Sequence, residues 1–220
     1  GVCLINAKTG AVTSKHNTTE GICSEENPQW ASHIMRDYKN RLWICTSDGV
    51  VCHQEGEKLV HKKNQENGIL DQNESRMTFC DSKQRIWLIT TTGGLNLFDE
   101  ESKTFSCVGN QYHIPNTLNA ITEDNHRNLW ITATNEVILF NPDNNMVRHF
   151  DMAGDLGGYS FAANAIYKSE NGEIYAGSNN GFFAFNPEDI INKGQYEPSV
   201  YLRDLYINGE KVKAGEKMSV

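Results

Sequence analysis

Apolar residues in this chain fall in short runs that end at glycine, asparagine or aspartate turns. The clearest case is Arg85-Ile-Trp-Leu-Ile-Thr90, followed by a glycine turn and the returning run Gly94-Leu-Asn-Leu-Phe-Asp99. Runs of this length, rich in β-branched and aromatic residues and bounded by turn formers, predict strands joined as hairpins. An acidic turn precedes the first run, beginning at Asp81, with Trp87 six residues on. The same pattern recurs as Asp37-Tyr-Lys-Asn-Arg-Leu-Trp43 and as Asp124-Asn-His-Arg-Asn-Leu-Trp130. A degenerate copy runs from Ser169 to Tyr175. The aromatic anchors stand 44, 43 and 45 residues apart. A self-similar period of about 40–45 residues with four strands per unit is what a propeller blade requires.

Taken in order, the pattern predicts half a blade over 1–15, blades over 28–63, 73–108 and 116–150, and a three-stranded blade over 161–187. Alternation within these strands is weak and apolar content high, as expected where neighbouring sheets cover both faces. Ser47-Asp48-Gly49 is a hairpin signal, because Asp-Gly takes the positive φ of a tight turn at low cost. Asn141-Pro142 and Asn186-Pro187 close strands. After Pro187 the repeat stops: 188–196 reads as a linker, and 197–220 as a new module with two short strands around Asn208-Gly209. The fold expected is all-β: an incomplete β-propeller of about four and a half four-stranded blades. It would be an open arc, or an arc completed by another copy of the chain, because an uncovered blade face and an unpaired edge drive association. Gly1 falls partway through a repeat and reads as a cut inside a longer protein.

Composition narrows the partners. The formal net charge is −8 over 220 residues, which argues against nucleic acid and against docking on anionic lipid. No apolar run reaches the ~18–20 residues that span a bilayer. Six cysteines show no metal-binding spacing; they read as small buried apolar residues, with a disulfide in an exported protein as the alternative. Seven histidines form no HxH or HExxH motif. No nucleophile elbow, calcium loop or phosphate-binding loop is visible, so neither catalytic residues, nor a metal, nor a cofactor is expected.

Asp124–Pro142, Asp81–Asp99 and Asp37–Gln54 resemble the two-component regulator propeller repeat: an acidic turn, a Leu-Trp-Ile strand, a glycine turn, and an apolar strand ending in Asn-Pro or Asp. The copy at Ser169–Tyr175 departs from it in both anchor residues. Glu197-Pro-Ser-Val-Tyr-Leu-Arg-Asp-Leu-Tyr-Ile-Asn-Gly209 is similar to the opening of the tyrosine-rich β-sandwich that follows such repeats. The resemblance implies the periplasmic sensor region of a membrane-anchored hybrid two-component histidine kinase. It implies an oligosaccharide ligand, and places the kinase outside this fragment. A propeller lyase or hydrolase, and a propeller serving only as scaffold or dimerisation module, are the alternatives.

Trp43, Trp87, Trp130 and Tyr175 recur at one strand position and so read as packing between sheets. Asp37, Asp81 and Asp124 read as side-chain acceptors that tie the turn before each Trp strand. Specificity is then expected in the loops that the repeat leaves free. Five positions before the Asp or Ser anchor stand Ser32, Arg76, Asn119 and Asn164, which vary against a constant framework. The ligand-binding candidates are Trp30, Arg76, Asn119, Tyr159 and Asn164, chosen for hydrogen-bonding or stacking chemistry at the blade rim.

Overall fold

A computed structural model describes residues 2–16, 31–47, 49–54, 57–61, 74–158, 160–193, 205–207 and 210–212. It divides into a unit spanning Gly1–Pro187 and a unit spanning Glu188–Val220. The first opens with a two-stranded sheet, β1 (Val2–Ile5) and β2 (Val12–His16). Three four-stranded antiparallel meanders follow. They comprise β3 (Ala31–Arg36), β4 (Leu42–Thr46), β5 (Gly49–Gln54) and β6 (Glu57–His61); then β7 (Ser75–Cys80), β8 (Ile86–Thr90), β9 (Gly94–Asp99) and β10 (Thr104–Cys107); then β11 (Leu118–Glu123), β12 (Leu129–Ala133), β13 (Glu136–Asn141) and β14 (Met146–Asp151). The last blade has three strands, β15 (Phe161–Lys168), β16 (Ile174–Ser178) and β17 (Gly181–Phe185). The fold is an incomplete β-propeller.

The core lies between blades. Because side chains alternate along a strand, β8 sends Ile86 and Leu88 to the preceding blade, where they pack with Trp43, Cys45 and Val50. Its Trp87 and Ile89 go to the following blade and pack with Ile121, Ile131 and Phe140. Each of the three described tryptophans meets a phenylalanine from the next sheet. Trp43 lies 4.9 Å from Phe98 and Trp87 6.0 Å from Phe140, both edge-on, and Trp130 lies 5.1 Å from Phe185. A strand buried on both faces explains the absence of apolar–polar alternation in the sequence.

Among the described residues, three short helical segments interrupt the strands. A 3-10 turn occupies Gly109–Tyr112, and α1 spans Ala153–Leu156. In the second unit's approach, part of the segment read as a linker is helical, α2 (Pro187–Lys193). Its start is typical of helices: proline at the first position, where no N–H is needed, then Glu188 and Asp189 against the positive end of the dipole. The second unit holds the hairpin β18 (Leu205–Ile207) and β19 (Glu210–Val212); its turn residues Asn208 and Gly209 lie outside the described residues. Among the described residues no helix is long and apolar enough to cross a membrane.

Candidate functional site

The repeated aspartate is a four-way acceptor. In the first full blade, Asp37 Oδ1 accepts from the amides of Lys39 and Arg41, and Oδ2 from Arg41 Nε and Trp43 Nε1, all at 2.6–2.9 Å. Asp81 holds Lys83 N, Arg85 N, Arg85 Nε and Trp87 Nε1 in the same way. Asp124 holds His126 N, Asn128 N, Asn128 Nδ2 and Trp130 Nε1 at 2.8–2.9 Å. The turn reverses through one residue of positive φ, three after the acid: Asn40, Gln84 and Arg127, with φ of 64–68°. In the last blade that residue is Gly172 at 89°. There Ser169 Oγ donates to the Glu173 carbonyl, and Tyr175 donates to Glu173 Oε2, so the clasp is looser.

Neighbouring blades are tied by ion pairs at the same level. Arg41 runs from Asp37 to Glu100 of the next blade, which also takes Lys39 and Lys103. Arg85 runs from Asp81 to Asp143, which also takes Lys83. Burial opposes ionisation of Glu100, but its bonds from Arg41, Lys39 and Lys103 outweigh it and hold the carboxyl well below the usual carboxylate range. The hydrogen bond from Lys83, with Arg85 beside it, likewise lowers Asp143. These groups are framework.

The inner strands carry something different. Each has a β-bulge, and the bulges fall at one repeat position. Ala31 pairs with Thr46 but His33 with Cys45, leaving Ser32 unpaired. Arg76 is the extra residue between Ser75 and Met77, and Asn119 that between Leu118 and Ala120. In β15 the irregularity runs from Phe161 to Ile166 and contains Asn164, whose φ is 58°. Bulges re-aim side chains and concentrate beside functional sites. Here the re-aimed side chains meet. Ser32 Oγ donates to the Ser75 and Arg76 carbonyls at 3.1 and 3.3 Å. Arg76 Nη1 donates to Leu118 O and Asn119 Oδ1. Asn119 Nδ2 donates to Ala133 O and Phe161 O, both at 3.0 Å. Asn164 Nδ2 returns to Ser32 O at 3.1 Å, linking the last inner strand to the first. The circuit joins all four blades at their inner edge.

Of the five candidate binding residues, the structure therefore brings Arg76, Asn119 and Asn164 together. Trp30 and Tyr159 lie outside the described residues. Asn119 is buried, with both ends of its amide occupied; it braces three inner strands. Asn164 Oδ1 is buried with no partner. Beside this circuit, a cavity of about 430 Å³ opens at the rim, lined by Pro115, Thr117, Ala133, Thr134, Asn135, Glu136 and Asp151. Ala133 joins the two, since its carbonyl takes the Asn119 amide. Asn135 was legible as a rim residue in the turn between second and third strands. Glu136 and Asp151 were not, because they are brought in by the pairing of β13 with β14.

No protein-family profile matches the chain. Histidine kinase P4 of Formosa agariphila is 25% identical over 233 residues, covering 81% of this chain and 17% of its own length. The extracellular domain of a hybrid two-component system from B. thetaiotaomicron superposes with a TM-score of 0.78 at 26% identity, covering 98% of this chain and 30% of that one. The chain is similar to two-component sensor ectodomains. A second B. thetaiotaomicron extracellular domain matches 86% of the chain, and 24% of its own, with a TM-score of 0.65 at 15% identity. Other similar structures include a WD40 β-propeller, at a likeness that speaks to fold alone. The chain thus spans less than a third of the length of the histidine kinase and of the two extracellular domains.

Proposed function

We propose that this propeller segment belongs to the periplasmic sensor region of a hybrid two-component system and takes part in recognising an oligosaccharide, whose binding is passed to a downstream histidine kinase. The observation that carries the reading is the convergence of the bulged side chains, one from each blade, on a single polar circuit beside a rim cavity. A cavity of this volume lies in the range that holds small ligands. Asn135, Glu136 and Asp151 supply amide and carboxylate groups that suit sugar hydroxyls, and the orphan Asn164 Oδ1 is an acceptor in need of a donor. A circuit that ties four blades together gives a ligand a means of biasing one arrangement of the ring over another.

We also propose that the outer face of the last blade is covered by a further blade of the same repeat. The position after the strand-opening residue is buried in the earlier blades, at Val50, Leu95 and Val137, yet its counterpart Phe182 is 70% exposed beside Tyr167 at 62%. The test of function is calorimetric titration of the ectodomain carrying these residues with a panel of oligosaccharides. A saturable sugar whose affinity falls several-fold in Asn164→Ala supports the reading. Equal affinity in that variant, or turnover of the sugar, refutes it.

A further inference from the structure

We infer that Arg76 is the selectivity residue of this site and takes an anionic group, a carboxylate or sulfate ester, on the oligosaccharide. The inference rests on the oligosaccharide reading above. Both hydrogen bonds that hold Arg76 leave from Nη1, and both acceptors, a carbonyl and an amide oxygen, are neutral. A guanidinium has five N–H donors, so the Nε/Nη2 edge keeps three. That edge is the fork that matches two oxygens of a planar or tetrahedral anion. Arg76 is half-buried, so this edge is not sealed in the core.

Arg41 and Arg85 each sit between two carboxylates. Among the described residues none pairs with Arg76, although the chain has 28 acids to 20 bases. A guanidinium on an inner strand with no carboxylate partner among the described residues is open to an outside anion. The bulge fixes its position: an unbulged strand would turn residue 76 to the other face. The brace from Nη1 to Leu118 and Asn119 fixes its orientation and lowers the entropy lost on binding.

Titration of the ectodomain with tetragalacturonate, a sulfated galactan tetrasaccharide and cellotetraose tests this and separates the two anions. The expected result is binding of one acidic probe at least tenfold tighter than cellotetraose, weakening as salt rises. Arg76→Gln should abolish that preference. Arg76→Lys, which keeps the charge without the fork, should retain part of it. The acidic-to-neutral ratio is the readout that a purely bracing residue would not move, and a melting curve shows that each variant folds. Tightest binding of cellotetraose, or a preference unchanged in Arg76→Gln, overturns the inference while the oligosaccharide reading stands. Binding of no probe by the folded ectodomain overturns both.

Discussion

Replacing Asp124 with asparagine should be far more damaging than so small a change suggests. The carboxylate is buried and faces four donors in two pairs: two backbone amides on Oδ1, and Asn128 Nδ2 with Trp130 Nε1 on Oδ2. An amide has one acceptor oxygen and one NH₂, so either orientation points two donors at two donors. Two charge-assisted bonds are lost, each worth about 1.5–3 kcal/mol, or about 3–6 kcal/mol together. The upper end rivals the whole stability of an ordinary domain, about 5–15 kcal/mol. At about 2–4 °C per kcal/mol for a chain this size, Tm should fall by about 6–24 °C in differential scanning calorimetry. Ser169→Ala, at the equivalent place in the last blade, removes a half-buried hydroxyl bond worth about 1 kcal/mol. A cycle with Trp130→Phe, which deletes the indole donor, should show coupling of about 0.5–3 kcal/mol. If Asp124→Asn melts within about 2 °C of the parent, or Ser169→Ala costs as much, the clasp is not what holds the blades.

Other outcomes follow from the same geometry. Folding favours the charged form of Glu100, so its contribution is whole above its ordinary value of 4.5 and drains away as pH falls through its lower folded value; Glu100→Gln should therefore lose stability at pH 7 by denaturant titration, with the gap to the parent closing on acidification. Burial pushes the Cys45 thiol up to about 12, so a thiol reagent at pH 8 should label exposed Cys107 in the native protein and leave Cys45 untouched until it unfolds. Phe182→Glu should shift the chain toward monomer in light scattering if the blade of a second copy covers that face, and leave its mass unchanged if no second copy does.

Much of the fold could be read from period and residue type alone. The strand pattern around Trp43, Trp87 and Trp130 is strict, and the turn role of their aspartates follows from side-chain chemistry. The indole-to-carboxylate bond was not legible, because a six-residue spacing across a turn and into a strand says nothing about which way the ring nitrogen points. Helix α2 hid for another reason: seven residues are too few to show a helical period. At the site, Ser32, Arg76, Asn119 and Asn164 stood out in the sequence only as the variable position of a constant repeat. Their convergence depends on a register shift in each inner strand, and strand pairing carries no local sequence mark. The role of Arg76 is subtler, since free and paired arginines read alike until the positions of Glu100 and Asp143 are known.

The most direct test of the bulged circuit as the recognition site is a crystal structure of the ectodomain with its oligosaccharide bound. Ligand oxygens should lie within hydrogen-bonding distance of the Arg76 Nε/Nη2 edge, with a sugar ring in the cavity beside Ala133. Ligand seated only on the outer strands, with the circuit from Ser32 to Asn164 unaltered and untouched, would contradict it.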